Sequence, residues 1–191
     1  MNKSKNIFVI VEGPDNVGKT TLINNIKNNF NDVIFQTMHF SNVKQQSSED
    51  VVEYSKKLYS DMFYVMSCMQ GIVAGGVICD RSHLGEMVYG PIYRGYTGEY
   101  VLSIEDTYAN SKFFENLILI TCYDDPENLI ERDDGLSFSL DLETKKTEIS
   151  NFLNAHEQSN IKHKLLLNIK NYNAEQASAA TTHAIKAMLN D

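Results

Sequence analysis

The sequence predicts one α/β domain, a five-stranded parallel sheet with helices on both faces. Three observations predict it. Five short, β-rich apolar runs that end in turn residues alternate with segments of helical periodicity. The runs are apolar at successive positions, as strands covered on both sides by helices must be. And 191 residues with 42% hydrophobic content suit a single buried core, with no repeat, low-complexity tract or Pro/Ser-rich linker to divide it.

In chain order, residues 7–11 form the first strand and 19–30 the amphipathic helix after it. Residues 33–37 read as the second strand, followed by the longest helical segment, about 49–74. There Val52, Leu58, Tyr59, Met62, Phe63, Met66 and Met69 recur every three or four positions. Such a stripe faces a core, and one edge of it can also line a base pocket. Residues 77–79 and 117–122 are the third and fourth strands, with a helix at about 103–114 between them. Helices at about 126–132 and at 142–157, a fifth strand at 165–169 and a helix at 174–189 complete the pattern. The tyrosine-rich, glycine-punctuated run 83–96 reads as an irregular segment.

Charge and cysteine content narrow the function. The net charge of −8 argues against a nucleic-acid surface or an anionic membrane, both of which call for a basic face. The acid is concentrated: residues 99–143 hold twelve Asp/Glu against Lys112 and Arg132. Of the 17 basic residues only Arg81, Arg94 and Arg132 are arginines. Cys68, Cys79 and Cys122 are odd in number and widely spaced, which fits neither a disulfide framework nor a zinc site. With no leader-like start and no apolar run of membrane-spanning length, a soluble, cytoplasmic protein is expected.

The first strand runs into Glu12-Gly13-Pro14-Asp15-Asn16-Val17-Gly18-Lys19-Thr20-Thr21. This is GxxxxGKT between a buried strand and an amphipathic helix, the context that makes it a P-loop. Its glycines let backbone N–H groups turn inward around phosphate, and the helix N-terminus adds partial positive charge. Lys19 reaches the β- and γ-phosphates and the Thr20 hydroxyl ligates magnesium. ATP and Mg²⁺ are therefore the expected cofactors, held by Gly13 through Thr21. The guanine-reading NKxD string of GTPases is absent, and the length favours a nucleotide or nucleoside kinase over a motor ATPase.

These residues resemble the thymidylate kinase branch of the P-loop nucleotide kinases, whose loop reads EGxDGxGKTT where this chain has EGPDNVGKTT. The resemblance implies a strand order of 2-3-1-4-5 and puts contact with the acceptor sugar on Asp15. A second match, Val77-Ile78-Cys79-Asp80-Arg81-Ser82, is similar to the DR pair ending the family's third strand. It implies substrate phosphate on Arg81 and metal near Asp80. A third, Asp125-Pro126-Glu127 with Arg132, resembles the approach to the family's lid, here about 131–145, and implies a catalytic arginine at 132. The run 83–96 is similar to small bacteriophage deoxynucleotide kinases of this type. There Arg94 is a candidate for acceptor phosphate and Tyr89 or Tyr93 for base stacking, with Phe63 on the preceding helix as a further stacking candidate. His83 reads as structural. One departure is that the helix carrying Phe63 has no arginine, the residue that reads the pyrimidine in the family.

The reading is ATP-dependent phosphorylation of a deoxynucleoside monophosphate, dTMP or a related or modified one, with Lys19, Arg81 and Arg132 neutralising the migrating charge. Resemblance adds a homodimer through the long helices. Two alternatives stay open: a deoxynucleoside kinase, which needs a carboxylate base such as Glu12 or Asp80, and a non-catalytic nucleotide-binding module.

Overall fold

The middle of the sheet is buried on both sides because its strands carry apolar residues at every position. A computed structural model describes residues 6–40, 48–70 and 75–189. In it β1 (Ile7–Glu12), β3 (Gly75–Asp80) and β4 (Leu117–Tyr123) are buried almost throughout. Pleating sends alternate residues to opposite faces. Phe8 and Ile10 of β1 join one core with Phe63, Met66, Phe113 and Phe114, while Ile7, Val9 and Val11 join the other with Leu22, Ile23 and Ile26.

Five parallel strands lie in the order β2-β3-β1-β4-β5, with β2 at Ile34–His39 and β5 at His163–Asn168, as the sequence resemblance implied. The expectation that every strand is covered on both sides holds for the three central strands only. β2 and β5 are edges and are largely exposed or half-buried along their length. Ile34 shows the consequence, at 79% exposure.

Around the sheet run α1 (Lys19–Asn29), α2 (Ser48–Met69), α3 (Gly85–Tyr89), α4 (Tyr100–Tyr108), α5 (Lys112–Glu115), α6 (Pro126–Glu131), α7 (Leu142–Gln158) and α8 (Ala174–Met188). The helix expected at 103–114 is two helices, α4 and α5. Ser111 caps α5 by accepting a hydrogen bond from the Phe114 N–H, so the chain restarts there rather than continuing. The run 83–96 is more ordered than expected: α3 passes into one π-helical stretch, Gly90–Arg94, closed by Gly95 at φ 76°. The last four residues of the expected 49–74 helix lie outside the described residues.

Most buried polar residues are paired. His83, with no exposed surface, hydrogen-bonds Ser82 Oγ at 2.8 Å and Glu105 Oε1 at 2.7 Å, the structural role expected of it. Burial alone would raise the Glu105 carboxyl. The His83 contact, the Asn160 N–H and the Ser159 hydroxyl outweigh it, holding Glu105 below the ordinary carboxylate value. Cys79 and Cys122 are buried thiols pushed up to about 12 by burial, while Cys68 is exposed.

Candidate active site

The chemistry gathers at the carboxyl ends of β1, β2 and β3, where ligands bind in open parallel sheets. β1 delivers Glu12, β2 delivers His39 and β3 delivers Asp80. Register places Val11 and His39 on either side of Asp80.

The P-loop leaves β1 through Gly13 at φ 142°, where a Cβ would stand 2.3 Å from the Cys122 carbonyl oxygen, so no larger residue fits. It enters α1 through Gly18 at φ 89°, and no side chain caps that helix. The first-turn N–H groups of α1 are thus left to an anion. Lys19, although 5% exposed, folds back to donate to the Gly13 and Pro14 carbonyls at 2.8 and 2.7 Å. Burial and the Arg81 charge lower its pKa against the opposing pull of Asp15 and Asp80.

Arg81 is the hinge of the site. It is one of two non-glycine residues with positive φ among those described, at 67°; the other is Asn16 at 65°. A positive φ at a long side chain is a strained conformation kept where something over-determines it. Here the Arg81 N–H donates to the Val11 carbonyl at 3.0 Å, while its guanidinium donates to Asp15 Oδ1 at 2.6 Å.

Two cavities meet at Arg81. The larger, about 810 Å³, is bounded by Asp15, Asn16, Gly18, Lys19, Thr20, Thr21, His39, Asp80 and Arg81, with 134 and 136–138 closing over it. The smaller, about 20 Å³, lies between Phe40, Tyr59, Tyr89 and Phe152 and is also lined by Glu12, Ser82 and Glu86. Burial raises the Glu12 carboxyl above its usual value, opposed by the charges of His83 and Lys19 and by the Ser82 N–H, which donates at 2.8 Å. A third cavity, about 340 Å³, lies on the outer side of the P-loop between Val17, Asn25, Arg132, Tyr172 and Asn173.

Buried polar atoms are nearly always hydrogen-bonded, so exceptions point to ligands. Among the described residues there are four buried, unpartnered side-chain polar atoms. Three are here: Asp80 Oδ1, Arg81 Nε and the Tyr89 hydroxyl. Asp80 Oδ2 lies 3.5 Å from Thr20 Oγ1 and 3.2 Å from His39 Nδ1. A hydroxyl and a carboxylate with an oxygen to spare suit Mg²⁺, a hard cation that takes one or two protein oxygens plus phosphates and water. No cluster of three or more potential metal ligands occurs among the described residues.

The segment 132–141 contains no regular helix or strand, and its residues 134 and 136–138 line the large cavity. Asn16 holds it, donating to Asp133 Oδ1 at 3.0 Å and to Ser137 Oγ at 2.9 Å. Phe138 holds it from the other side, stacked 5.0 Å from the Tyr93 ring and 5.6 Å from the Tyr89 ring.

Several sequence-predicted site residues fall elsewhere. Phe63 is fully buried, its ring 5.0 Å from His83 and 6.0 Å from Phe113, and offers no face to a base. The helical stripe it belongs to is core. Arg94 does not line either cavity at Arg81. It pairs with Glu86 Oε1 at 2.7 Å and donates to the Tyr96 hydroxyl at 2.9 Å. Arg132 lines the third cavity, not the one holding Lys19, and is ion-paired with Asp124 while its Nε donates to the Asn128 carbonyl. Val17 points into the core and Pro14 offers Lys19 its carbonyl. Tyr93 is turned to Glu148, donating at 2.6 Å. Sequence reasoning missed His39 and Glu86; His39 ends a strand as Asp80 does, and the same strand-end argument would have found it.

No protein-family model matches the sequence, and no curated protein sequence matches it. Solved structures do. The chain is similar to the YorR protein of Bacillus subtilis, solved in complex with phosphorylated GDP, at 14% identity and a TM-score of 0.65, over 96% of this chain and 98% of that one. It is similar to thymidylate kinase from Candida albicans at 11% identity and a TM-score of 0.66, over 97% and 93% of the two chains. Deoxyadenosine kinase from M. mycoides, solved with bound dCTP, aligns at 15% identity and a TM-score of 0.52, over 95% and 100%. Across nearly its whole length this chain has the fold of those three proteins, a five-stranded parallel sheet carrying a P-loop at the end of its central strand.

Proposed function

We propose that the protein transfers the γ-phosphoryl group of ATP to a deoxynucleoside monophosphate. The observation that carries this reading is Arg81, held at a strained φ where the two cavities meet and lining both. The triphosphate occupies the large cavity, against the first-turn amides of α1. Lys19 exchanges the Gly13 and Pro14 carbonyls for phosphate oxygens. Arg81 exchanges Asp15 for the acceptor's phosphate, where its planar fork binds two oxygens at once. The freed Asp15 faces the acceptor sugar. Thr20 and Asp80 would hold Mg²⁺, which would offset phosphate charge. A monophosphate oxygen is already ionised, so no general base is needed. Segment 132–141 closes over the phosphates and excludes water. In this arrangement Arg132 lies beside the nucleotide's base end, and contact with the moving phosphoryl requires its release from Asp124.

One observation favours a second reading, a nucleoside kinase. Glu12 lines the acceptor cavity with its pKa raised by burial, as suits a group that must take a proton from a neutral hydroxyl. An ADP-release assay over the common deoxynucleoside monophosphates and free nucleosides decides between them. Turnover confined to nucleosides overturns the monophosphate reading; nucleotide binding with no turnover supports a binding module. Among the described residues no helix is long and apolar enough to cross a membrane. A homodimer through α2 belongs to the same proposal, supported by Tyr54, Tyr64 and Val65 exposed on that helix; light scattering on the purified chain tests it.

A further inference from the structure

The acceptor cavity carries a chemical preference for one class of base. Phe40, Tyr59 and Tyr89 bring aromatic rings to its lining, with Phe152 buried in the core against Tyr89. At its edge lies Glu86, in α3 and 2% exposed. Its Oε1 accepts from Arg94 at 2.7 Å, and its Oε2 accepts from the Tyr96 hydroxyl at 2.6 Å and the Tyr100 hydroxyl at 3.1 Å. A carboxylate has about four lone-pair sites, so one further hydrogen bond can be accepted, on Oε1. The arginine and both tyrosines fix the group in place, and as a carboxylate it only accepts.

Base edges differ in what they present to such a group. Guanine, cytosine and adenine each carry an exocyclic amino group. Thymine and uracil instead flank a single ring N–H with two carbonyl oxygens. A carboxylate oxygen that accepts from that N–H has a carbonyl oxygen on either side repelling it, and one turned toward a carbonyl leaves both acceptors unpaired, a costly arrangement away from water. We infer that Glu86 selects an acceptor nucleotide whose base bears an exocyclic amino group and disfavours thymine and uracil. This rests on the monophosphate kinase reading and turns it away from the dTMP suggested by sequence resemblance. The orphaned Tyr89 hydroxyl is a second polar contact for the same ligand, able to donate or accept.

The test compares kcat/KM for dGMP, dCMP, dAMP, dTMP and dUMP at saturating ATP, in the wild type and in Glu86→Gln, alongside calorimetric binding of the same five ligands. At least one amino-bearing nucleotide is expected to exceed both dTMP and dUMP by about tenfold or more, the scale of losing a hydrogen bond at a buried site. Replacing the favoured substrate's amino group by a carbonyl (dUMP for dCMP, dIMP for dAMP) or deleting it (dIMP for dGMP) should lose a similar factor in the wild type, independently of how any variant folds. In Glu86→Gln the amide also donates, and the preference should shrink about tenfold, through the acceptor's KM and not that of ATP. Equal or better use of dTMP or dUMP by the wild type overturns the inference while leaving the kinase reading intact. So does a preference unmoved in a folded Glu86→Gln. If no monophosphate turns over, the kinase reading fails, and the binding ranking alone decides what Glu86 selects.

Discussion

The cavity above the P-loop measures about 810 Å³ and is lined largely by polar and charged residues, whereas the one beside it, the proposed acceptor cavity, measures about 20 Å³ and is lined by aromatic residues and two glutamates. Backbone geometry fixes the first: Gly13 and Gly18 set its curvature and α1 its field. Side chains define the second, and at that size it takes little more than a water molecule. On the proposed reading, a base enters it only when the rings turn aside. The proposed nucleotide side would then be preformed and the proposed acceptor side would take its final shape as substrate arrives, as expected where binding assembles a reactive site.

Substitutions at the two sides should separate along that line. The largest effect is expected for Lys19→Met, which removes the buried charge from the preformed cavity. Phosphoryl transfer should fall by about a thousandfold or more with the fold unchanged, read by ADP release and circular dichroism. Next is Phe63→Ala. As a core residue it should cost roughly 3–5 kcal/mol of stability, measured by urea unfolding. A base-stacking residue would instead leave stability nearly intact and raise the acceptor KM. Arg81→Lys keeps the charge but loses the fork at the junction, and should lower kcat/KM by about a hundredfold for both substrates.

Arg132→Ala has a smaller expected effect and a sharper meaning. If Arg132 serves the third cavity, the KM for ATP rises about tenfold and kcat changes only a few-fold. A fall in kcat of about a thousandfold would instead restore the catalytic arginine read from the sequence.

The smallest effect is on pH. Burial lowers His156 below 6.5, against the partial support of Glu157, so the unfolded chain takes up a proton first as pH falls. Stability contributed by neutral His156 is complete above 6.5 and is lost as pH drops through its folded value. Glu105, held below 4.5, adds its own loss only at lower pH. Glu12 has the opposite sign: raised above 4.5, it lowers stability increasingly as pH rises through its folded value. Thermal melts from pH 4 to 8 should show His156→Gln flattening the decline below 6.5 and Glu12→Gln gaining stability toward pH 8.

Much of the larger cavity's lining was legible in the sequence because its determinants are contiguous. Strand, glycine spacing, Lys19 and Thr20 fall within one stretch of chain, and Asp80–Arg81 follows a strand whose end the apolar run marks. The acceptor side was not legible for the complementary reason. Phe40, Tyr59, Glu86 and Phe152 come from four separate segments, and no spacing announces that they meet. Phe63 illustrates the cost of reading one helix alone: the stripe that suggested a stacking aromatic is the face α2 turns to Phe113 and Phe114. Scarcity of arginine pointed to three positions, yet only Arg81 reached the phosphate cavity. Arg94 orders Glu86, and Arg132 answers to Asp124, a partner the sequence showed only as part of an acidic block.

Phe138 has one further consequence. It borders the phosphate cavity while its ring rests on Tyr89, a wall of the acceptor cavity. One residue lining the first compartment thus shares a contact with the lining of the other, a route by which ligands in the two would be thermodynamically linked. If the proposed ligands bind there, whatever factor ATP applies to acceptor affinity the acceptor must return to ATP. Binding curves for each ligand in the presence of the other would give that factor, and Phe138→Ala should bring it toward one.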